Sequence, residues 1–313
     1  MTDQQMIDEI HRLKNKKNAV ILAHNYQIGP IQDIADYVGD SLGLSQVAAS
    51  TSADIIIFCG VHFMAETASI ISPNKKVLIP DTEAGCSLAA SITADELKQW
   101  KSENPEAIVV SYVNTTAEVK ALTDYCCTSS NAVKVVEAIP EGKDILFLPD
   151  RFLGSYVSAI TGRDIKIWQG GCHVHEKIGE INFDDARAKH PKADFLIHPE
   201  CGCSTSCLLK STMYEACKNL KIFSTDGMLN YVKDAESKEF VVATEVGILH
   251  RMKKIKPASE FYPVSQDSVC EYMKMITVEK LYNSLLHDRY EVKVPEELAA
   301  KARLSIERML EIT

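Results

Sequence analysis

Three apolar runs in this chain each end in polar side chains that stand two residues apart. The runs cover residues 19–23, 108–111 and 195–197, and each follows a segment with helical polarity. Short apolar runs rich in β-branched residues are typical of buried parallel strands. The polar residues that follow the runs are His24 with Tyr26, Tyr112 with Asn114, and His198 with Glu200.

The spacing of these polar pairs indicates an internal repeat. The first and second pairs lie 88 residues apart, and the second and third pairs lie 86 residues apart. This period is too long for a solenoid and matches the length of a small α/β domain. We therefore expect function to reside where the three strand ends converge.

Further short apolar runs alternate with helical segments inside each repeat. One predicted helix opens with Thr93 and Glu96, whose spacing fits a capping box. We predict an α/β fold with three similar doubly wound α/β domains in a pseudo-threefold arrangement around a central active site. The predicted domains are residues 1–90, 91–176 and 177–277, followed by a C-terminal helical segment, 278–313, that packs back on the body.

Cap-forming residues recur at matching places in the repeats. Ser41 lies 17 residues beyond His24, and Ser129 lies 17 beyond Tyr112. Thr225 lies 27 beyond His198, so the third repeat carries ten extra residues. Helix N-termini present unpaired N–H groups, and three of them around one cavity would suit phosphate or carboxylate groups. Each one considered alone is more typical of an ordinary helix cap.

Composition narrows the class of partner. The chain has 46% hydrophobic and 25% charged residues, as ordinary globular proteins do. A net charge of -9, without a long run of Lys and Arg, argues against a nucleic-acid surface and favours a small-molecule partner. No signal-peptide pattern and no apolar run of membrane-spanning length is present, so we expect a cytoplasmic protein and no membrane partner.

The ten cysteines suggest a metal site rather than disulfides, because disulfide frameworks belong to small secreted domains. Cys86, Cys172 and Cys270 come one from each repeat, each after a predicted strand. Three thiolates can hold a 4Fe-4S cluster and leave one iron open. That iron would be available as a Lewis acid.

A second cysteine group competes with this trio. Cys201, Cys203 and Cys207 are compact in sequence within the extra residues of the third repeat, and Cys217 is the only evident fourth ligand for a local zinc or iron-sulfur site. The remaining cysteines, Cys59, Cys126 and Cys127, are interpreted as small core residues.

Several motifs together resemble the quinolinate synthase family, from about residue 19 to about residue 285. They are Ala23-His24-Asn25-Tyr26, Gly39-Asp40-Ser41-Leu42, Pro80-Asp81, Ala84-Gly85-Cys86-Ser87, Ser111-Tyr112-Val113-Asn114, Gly171-Cys172-His173-Val174-His175, His198-Pro199-Glu200-Cys201, Thr244-Glu245-Val246-Gly247 and Cys270 with Met273-Lys274. The cysteine-rich insertion after Glu200 departs from many members, which leaves the roles of Cys203 and Cys207 open.

The resemblance implies a 4Fe-4S cluster on Cys86, Cys172 and Cys270. It also implies condensation of iminoaspartate with dihydroxyacetone phosphate to quinolinate, phosphate and two waters, on the route to NAD. An aspartate-oxidising enzyme would supply the labile iminoaspartate. The implied catalytic residues are Tyr26, Tyr112, Asn114, His198 and Glu200, and the implied substrate-binding residues are His24, Ser41, Tyr112, Asn114, Ser129, His198, Glu200 and Thr225.

The residue chemistry agrees with that reaction and leaves alternatives. Glu200 and His198 are suitable acid-base groups at one strand end, whereas His175 is interpreted as a support for the cluster or a structural residue. A hydro-lyase of the aconitase type would use an open-site cluster without a phosphate pocket. A non-catalytic iron-sulfur or zinc protein, such as an electron carrier, would normally have every iron ligated.

Overall fold

The structure is a computed structural model that describes residues 1–213 and 219–312. Cys217, considered above as a fourth ligand, lies outside the described residues. The strands are β1 (Ala19–His24), β2 (Tyr37–Gly39), β3 (Ile55–Cys59), β4 (Lys76–Leu78), β5 (Ile108–Tyr112), β6 (Tyr125–Cys127), β7 (Ile145–Leu148), β8 (Lys166–Ile167), β9 (Asp194–Ile197), β10 (Leu220–Ile222), β11 (Glu239–Ala243) and β12 (Glu260–Pro263).

Helices connect these strands throughout the described ranges. They are α1 (Asp3–Lys16), α2 (Gly29–Ile34), α3 (Ser41–Ser50), α4 (His62–Ile71), α5 (Ala94–Glu103), α6 (Ala117–Lys120), α7 (Ala132–Glu137), α8 (Arg151–Thr161), α9 (Glu180–Lys189), α10 (Ser204–Met213), α11 (Thr225–Asp234), α12 (Ile248–Ile255), α13 (Glu271–Lys274), α14 (Val278–His287) and α15 (Glu296–Glu311). Two short 3₁₀ turns, Ala89–Ser91 and His175–Lys177, follow β4 and β8.

The strands form three four-stranded sheets with one topology. In each sheet the first strand of the repeat lies between the second and third, and the fourth lies outside the third. All neighbouring strands within these sheets are parallel. This confirms the prediction of three similar α/β units, while the exact domain boundaries stay predictions.

The central position of β1, β5 and β9 explains why their sequences are apolar. Each has a strand on both sides, and every residue after its first is buried. Parallel strands of this kind lie between layers of helices, so their side chains on both faces are apolar. Polar side chains that follow them therefore emerge at the carboxyl edge of the sheet, where ligands bind in open α/β folds.

Helix caps set the positions of the polar residues beyond the strands. The predicted capping box is confirmed, because the Thr93 side chain accepts from the Glu96 N–H and the Glu96 carboxylate accepts from the Thr93 N–H. Asp40 caps α3 and Ser224 caps α11. Ser41 and Thr225 are consequently the first residues of their helices, rather than the caps themselves.

The corresponding helix of the second repeat has no side-chain cap. This helix, α7, begins at Ala132. The side-chain amide oxygen of Asn131 instead accepts the N–H of Thr128, at 2.8 Å, and holds the turn that carries Ser129. The matching residue, Ser129, thus lies three residues before the start of a short helix.

The extra residues of the third repeat become helix. Between the first and second strands, the first repeat has α2 with six residues and the second has α6 with four, whereas the third has α10 with ten. The insertion therefore lengthens a connection at the periphery of the sheet and leaves the strand order unchanged.

The last two helices pack on the first two units. Helix α14 lies against α1, and α15 lies across α4, α6 and β6. Residues from all three units and from this tail share one continuous apolar core, which includes Leu22, Val110, Leu196 and Ile306. Such a shared core favours one rigid body over three tethered domains.

Candidate active site

A cavity lies where the carboxyl ends of the three sheets converge, and side chains from all three repeats line it. Small-molecule sites are typically concave clefts of this kind. All twelve residues predicted for the site line this cavity: His24, Tyr26, Ser41, Cys86, Tyr112, Asn114, Ser129, Cys172, His198, Glu200, Thr225 and Cys270. The structure thus brings them together, although their individual roles stay predictions.

The Glu200 carboxyl group is buried in the cavity wall and has several polar neighbours. Tyr112 donates its hydroxyl hydrogen bond to Oε1 of Glu200. His198 Nδ1 lies 3.5 Å from Oε1, and His175 Nδ1 lies 3.4 Å from Oε2. Burial and the charge of Asp150 raise the pKa of Glu200 to about 8, against the opposing hydrogen bond from Tyr112. A carboxyl group with this pKa exchanges protons near neutral pH.

The surrounding histidines are neutral. Burial lowers the pKa of His24 and of His175 to about 3, and it lowers the pKa of His198 well below its ordinary value. The rings of His175 and His198 stack with centroids 5.2 Å apart. Because neutral imidazoles offer both a donor and an acceptor, they can orient a ligand without adding charge.

Tyr26 joins the same polar network from the first repeat. Its hydroxyl oxygen lies 2.5 Å from Oγ1 of Thr244 and 3.4 Å from Nε2 of His175. Burial raises the pKa of Tyr26 well above its ordinary value, so the phenol stays protonated. Its backbone N–H donates to Nδ1 of His24 at 3.2 Å, which fixes both side chains at the end of β1.

Ser41, Ser129 and Thr225 form a part of the cavity lining that is suited to anions, which we call the anion-binding wall. Ser41 and Thr225 are the first residues of two ten-residue helices, and Ser129 lies 3.2 Å from Nε2 of His198. Helix N-termini direct unpaired N–H groups and positive dipole ends toward such positions. Asn25 orients the Thr225 hydroxyl group through a hydrogen bond of 3.0 Å.

The three dispersed cysteines fit a thiolate-bound metal group. Cys86, Cys172 and Cys270 follow the fourth strands of the three sheets and are partly exposed to the cavity. Burial raises the pKa of Cys86 to about 12 and that of Cys270 to about 11, and it raises the pKa of Cys172 well above the ordinary value. Buried thiols of this kind are deprotonated when a metal ion compensates the charge.

The backbone around each of these cysteines offers matching support. In all three cases the N–H groups two and three residues further on face the sulfur atom and oppose the rise in pKa. Hydrogen bonds to sulfur are a recognised means of stabilising iron-sulfur clusters. The donor set therefore fits a 4Fe-4S cluster with three protein ligands.

A mononuclear metal ion is a geometric alternative in the same cavity. One ligand atom each from Cys172, His175 and Glu200 lie within 4.8 Å of one another. Thiolate, imidazole and carboxylate are all ligands that zinc accepts. This arrangement uses only one of the three dispersed cysteines, which makes the two metal assignments experimentally separable.

Comparison with known proteins decides the family. The family model described as Quinolinate synthetase A protein matches residues 8–311. Quinolinate synthase of Thermus thermophilus is 53% identical over 312 residues, which span 100% of this chain and 99% of that protein. The proteins of that name from Pyrobaculum aerophilum and Mycobacterium leprae are 53% and 54% identical over 304 and 313 residues, covering 97% and 99% of this chain and 98% and 89% of theirs.

This chain belongs to the quinolinate synthase family. It is therefore an enzyme, and the resemblance noted in the motifs is confirmed over nearly the full length. Within the described ranges, no helix is both long and apolar enough to cross a membrane.

The compact cysteine group lies behind the cavity wall rather than in its lining. Cys201, Cys203 and Cys207 are buried in the core of the third unit, beside Phe183 and Phe195. The Cys201 thiol donates to the Ala243 carbonyl oxygen at 3.0 Å. The cavity lining includes the dispersed trio and none of these three thiols, which favours the trio as ligands at this site. Cys59, Cys126 and Cys127 are fully buried, as expected of core residues.

Sequence reasoning missed an ion pair in which a buried carboxylate of the cavity wall meets a partly exposed lysine. The Glu245 carboxylate accepts the N–H of Gly247 at 2.7 Å and of Cys270 at 3.1 Å, and it pairs with Lys274 Nζ at 2.7 Å. Lys274 also donates to the Tyr26 carbonyl oxygen. The pair thus ties the Cys270 loop to β1 and β11. A side chain at Gly247 would meet the Tyr26 oxygen at 2.7 Å, which explains the glycine.

His175 is the other residue whose role the sequence left open. It is buried, lines the cavity, and its Nε2 lies 3.0 Å from Oγ1 of Thr244. Its position three residues after Cys172 is the only signal in the sequence that could have placed it here. The structure places it between Tyr26 and Glu200, within the polar network rather than behind it.

Proposed function

We propose that this enzyme condenses iminoaspartate with dihydroxyacetone phosphate to form quinolinate, phosphate and two waters in NAD biosynthesis. The observation that carries the proposal is the single cavity that joins an anion-binding wall, a buried carboxyl group and three thiols. The family membership supports the reaction class. Location in the cytoplasm and supply of iminoaspartate by an aspartate-oxidising enzyme stay predictions.

The anion-binding wall would hold the charged ends of both substrates. Ser41, Ser129 and Thr225 present hydroxyl groups and helix N-termini to a phosphate or carboxylate group. The neutral imidazole of His24 adds a hydrogen-bonding group beside them. This geometry favours a phosphorylated substrate over the hydro-lyase alternative, which needs no phosphate pocket.

Proton transfer would centre on Glu200. Its carboxyl group, with a pKa of about 8, can accept a proton from one carbon and return it to a neighbouring atom. Tyr112 and His198 lie against this carboxyl group and orient it. Tyr26 can donate a hydrogen bond. The side-chain amide oxygen of Asn114 is buried and accepts no hydrogen bond from the described residues, so it is available to a substrate N–H or O–H.

Loss of hydroxide is the difficult part of dehydration. A 4Fe-4S cluster bound by Cys86, Cys172 and Cys270 would supply Lewis-acid assistance through its open iron. The protein side chains would hold the substrate hydroxyl group toward that part of the cavity. Val61, Phe63 and Met64 line the same cavity with apolar surface, which limits water access to labile imine groups.

Cysteine substitutions test the metal assignment. Anaerobically purified protein is expected to be brown and to contain about four irons per chain. Replacing Cys86, Cys172 or Cys270 by Ser should remove the colour, whereas the matched control Cys203→Ser should keep it, because Cys203 lies in the core of the third unit. One metal ion per chain that survives Cys86→Ser would instead indicate the mononuclear alternative on Cys172, His175 and Glu200.

Replacement of Glu200 tests the proton-transfer role. Glu200→Gln keeps the shape and the hydrogen bond from Tyr112 but removes the titrating carboxyl group. Loss of general acid-base catalysis typically costs about 100-fold or more, so quinolinate formation should fall by at least that factor while the iron content stays unchanged. Quinolinate and phosphate are measured together under anaerobic conditions. Normal turnover in this variant would refute the role.

A further inference from the structure

The residues that directly follow the three cysteines are joined by hydrogen bonds. Ser87 follows Cys86, His173 follows Cys172, and Glu271 follows Cys270. The Ser87 hydroxyl oxygen lies 2.6 Å from His173 Nδ1, and His173 Nε2 lies 2.8 Å from Glu271 Oε2. One short chain of side chains therefore connects all three cysteine loops. We call Ser87, His173 and Glu271 the loop clasp.

Both nitrogen atoms of the His173 ring have a partner of suitable kind. A carboxylate can only accept, so Nε2 of the ring donates to Glu271, and Nδ1 pairs with the Ser87 hydroxyl group, which can both donate and accept. The His173 backbone N–H also donates to the Ser87 oxygen at 3.4 Å. The edge of the ring packs at 88° to Tyr272, with centroids 5.8 Å apart. The orientation of the imidazole is thereby fixed from three sides.

The position of the loop clasp matters because the three cysteines come from three separate sheets. No strand pairing within the described ranges joins one of these sheets to another. The relative placement of the thiols therefore depends on packing between the units, which includes contacts between the loops that carry the cysteines. Neighbouring Cα atoms are about 3.8 Å apart, so each member of the clasp acts one residue away from a thiol.

We propose that the loop clasp pre-positions Cys86, Cys172 and Cys270 for an iron-sulfur cluster. This inference rests on the proposed function, because it assumes that these cysteines bind the cluster. Ser87, His173 and Glu271 are positioning residues, since they act through the cysteines beside them. The clasp reduces the freedom that the three loops would otherwise lose when the cluster binds.

The loop clasp contributes little to the stability of the whole fold. The side chains of His173 and Glu271 are 27% and 59% exposed, and exposed pairs of this kind stabilise proteins only slightly. Loss of the clasp should therefore leave the melting temperature within about 4 °C of the wild type. Its effect should appear in the retention of iron.

Single substitutions in the loop clasp provide the test. Wild-type protein and the variants Ser87→Ala, His173→Ala and Glu271→Ala are reconstituted anaerobically with ferrous iron and sulfide. The iron content and the rate of iron release to a ferrous chelator are then measured. Losing one net hydrogen bond predicts release that is about three- to tenfold faster in each variant.

Two controls separate positioning from a general loss of stability. Glu271→Gln keeps an oxygen that accepts from His173 and should release iron at nearly the wild-type rate. His190→Ala removes a histidine that stacks on Tyr262, outside the cavity, and should also leave release unchanged. The double variant Ser87→Ala/His173→Ala should release iron no faster than His173→Ala alone, because both substitutions break one chain of contacts.

The outcomes distinguish this inference from the function on which it rests. If the wild type acquires no iron, the cluster assignment fails and the clasp loses its role. If the wild type holds about four irons and His173→Ala releases them at the wild-type rate, the clasp proposal alone is wrong. It is equally wrong if faster release occurs only together with a large drop in melting temperature, since that result would indicate a general structural role.

Discussion

Asp40 shows how one buried carboxyl group supports the anion-binding wall at some energetic cost. Its Oδ1 accepts the Gly43 N–H at 2.8 Å and caps α3, and its Oδ2 accepts the Ser130 hydroxyl hydrogen bond at 2.6 Å. Burial and the nearby charge of Asp226 raise the pKa of Asp40 from 3.8 to about 6. The side chain orients the residues on both sides of it, whereas its negative charge is unfavourable where it lies.

This raised pKa predicts a pH-dependent stability difference at Asp40. The folded protein holds the Asp40 proton up to pH of about 6, whereas the unfolded chain releases it near 3.8, so stability from this group is lost as the pH rises through that window. Asp40→Asn keeps the cap and removes the titration. Its free energy of unfolding relative to wild type should rise by up to about 3 kcal/mol between pH 4 and 7.

Urea unfolding at several pH values measures the difference between the two proteins. Asp226→Asn is the matched control, because it removes the repulsion from Asp40 and should reduce the pH dependence of the wild type. Parallel stability curves for wild type and Asp40→Asn would contradict the buried, charged state assigned to this carboxyl group.

The polar pairs at the strand ends could be predicted from the sequence, and their partners could not. His198 and Glu200 follow an apolar run, and a residue at the end of a buried parallel strand has only one edge of the sheet to occupy. Glu245 and Lys274 lie 29 residues apart, and Lys274 contacts Tyr26 of another repeat. That contact depends on how the repeats pack, which no local pattern encodes.

At the scale of helices, a capping box stabilises the first turn of α5. The Glu96 N–H donates to Oγ1 of Thr93 at 3.3 Å, and the Thr93 N–H donates to the Glu96 carboxylate at 2.8 Å. Thr93→Ala removes one of these acceptors, which typically costs about 1 kcal/mol. Amide hydrogen exchange in the first turn of α5 should therefore become about fivefold faster.

A serine near the other end of α5 provides the control. The exposed Ser102 hydroxyl group donates to the Gln99 carbonyl oxygen at 2.7 Å, which already belongs to the helix. Ser102→Ala also loses a hydroxyl group but gains helix propensity, so exchange should stay the same or slow slightly. Equal acceleration in both variants would show that the capping box is not what stabilises the helix.

The apolar central strands could be predicted from the sequence, whereas the shortest helices could not. Strands β1, β5 and β9 are apolar along nearly their whole length, so composition alone predicts them. Helices α6 and α13 have only four residues each. Four residues span about one helical turn, too few to show a periodic pattern, and such turns form because the packed loops around them fix their backbone.

At the scale of the whole molecule, α15 joins the first two units. Arg303 donates to the Ile70 carbonyl oxygen at 2.9 Å, and Arg308 donates to that of Asp124 at 2.7 Å. Asn131, in the turn beside the anion-binding wall, donates to the Met309 carbonyl oxygen at 3.0 Å. The helix thus links the outer surface of two sheets to a loop that reaches the cavity.

Packing of α15 should therefore control the stability of both units together. Ile306 is fully buried in the shared core, so Ile306→Ala should lower the free energy of unfolding by about 2–5 kcal/mol. Leu304 lies on the same helix and is 58% exposed, so Leu304→Ala should change it by only about 0.5 kcal/mol or less. Hydrogen exchange should accelerate in both α4 and β6 in the first variant, because α15 packs on both. Acceleration confined to one of them would mean that α15 supports that unit alone.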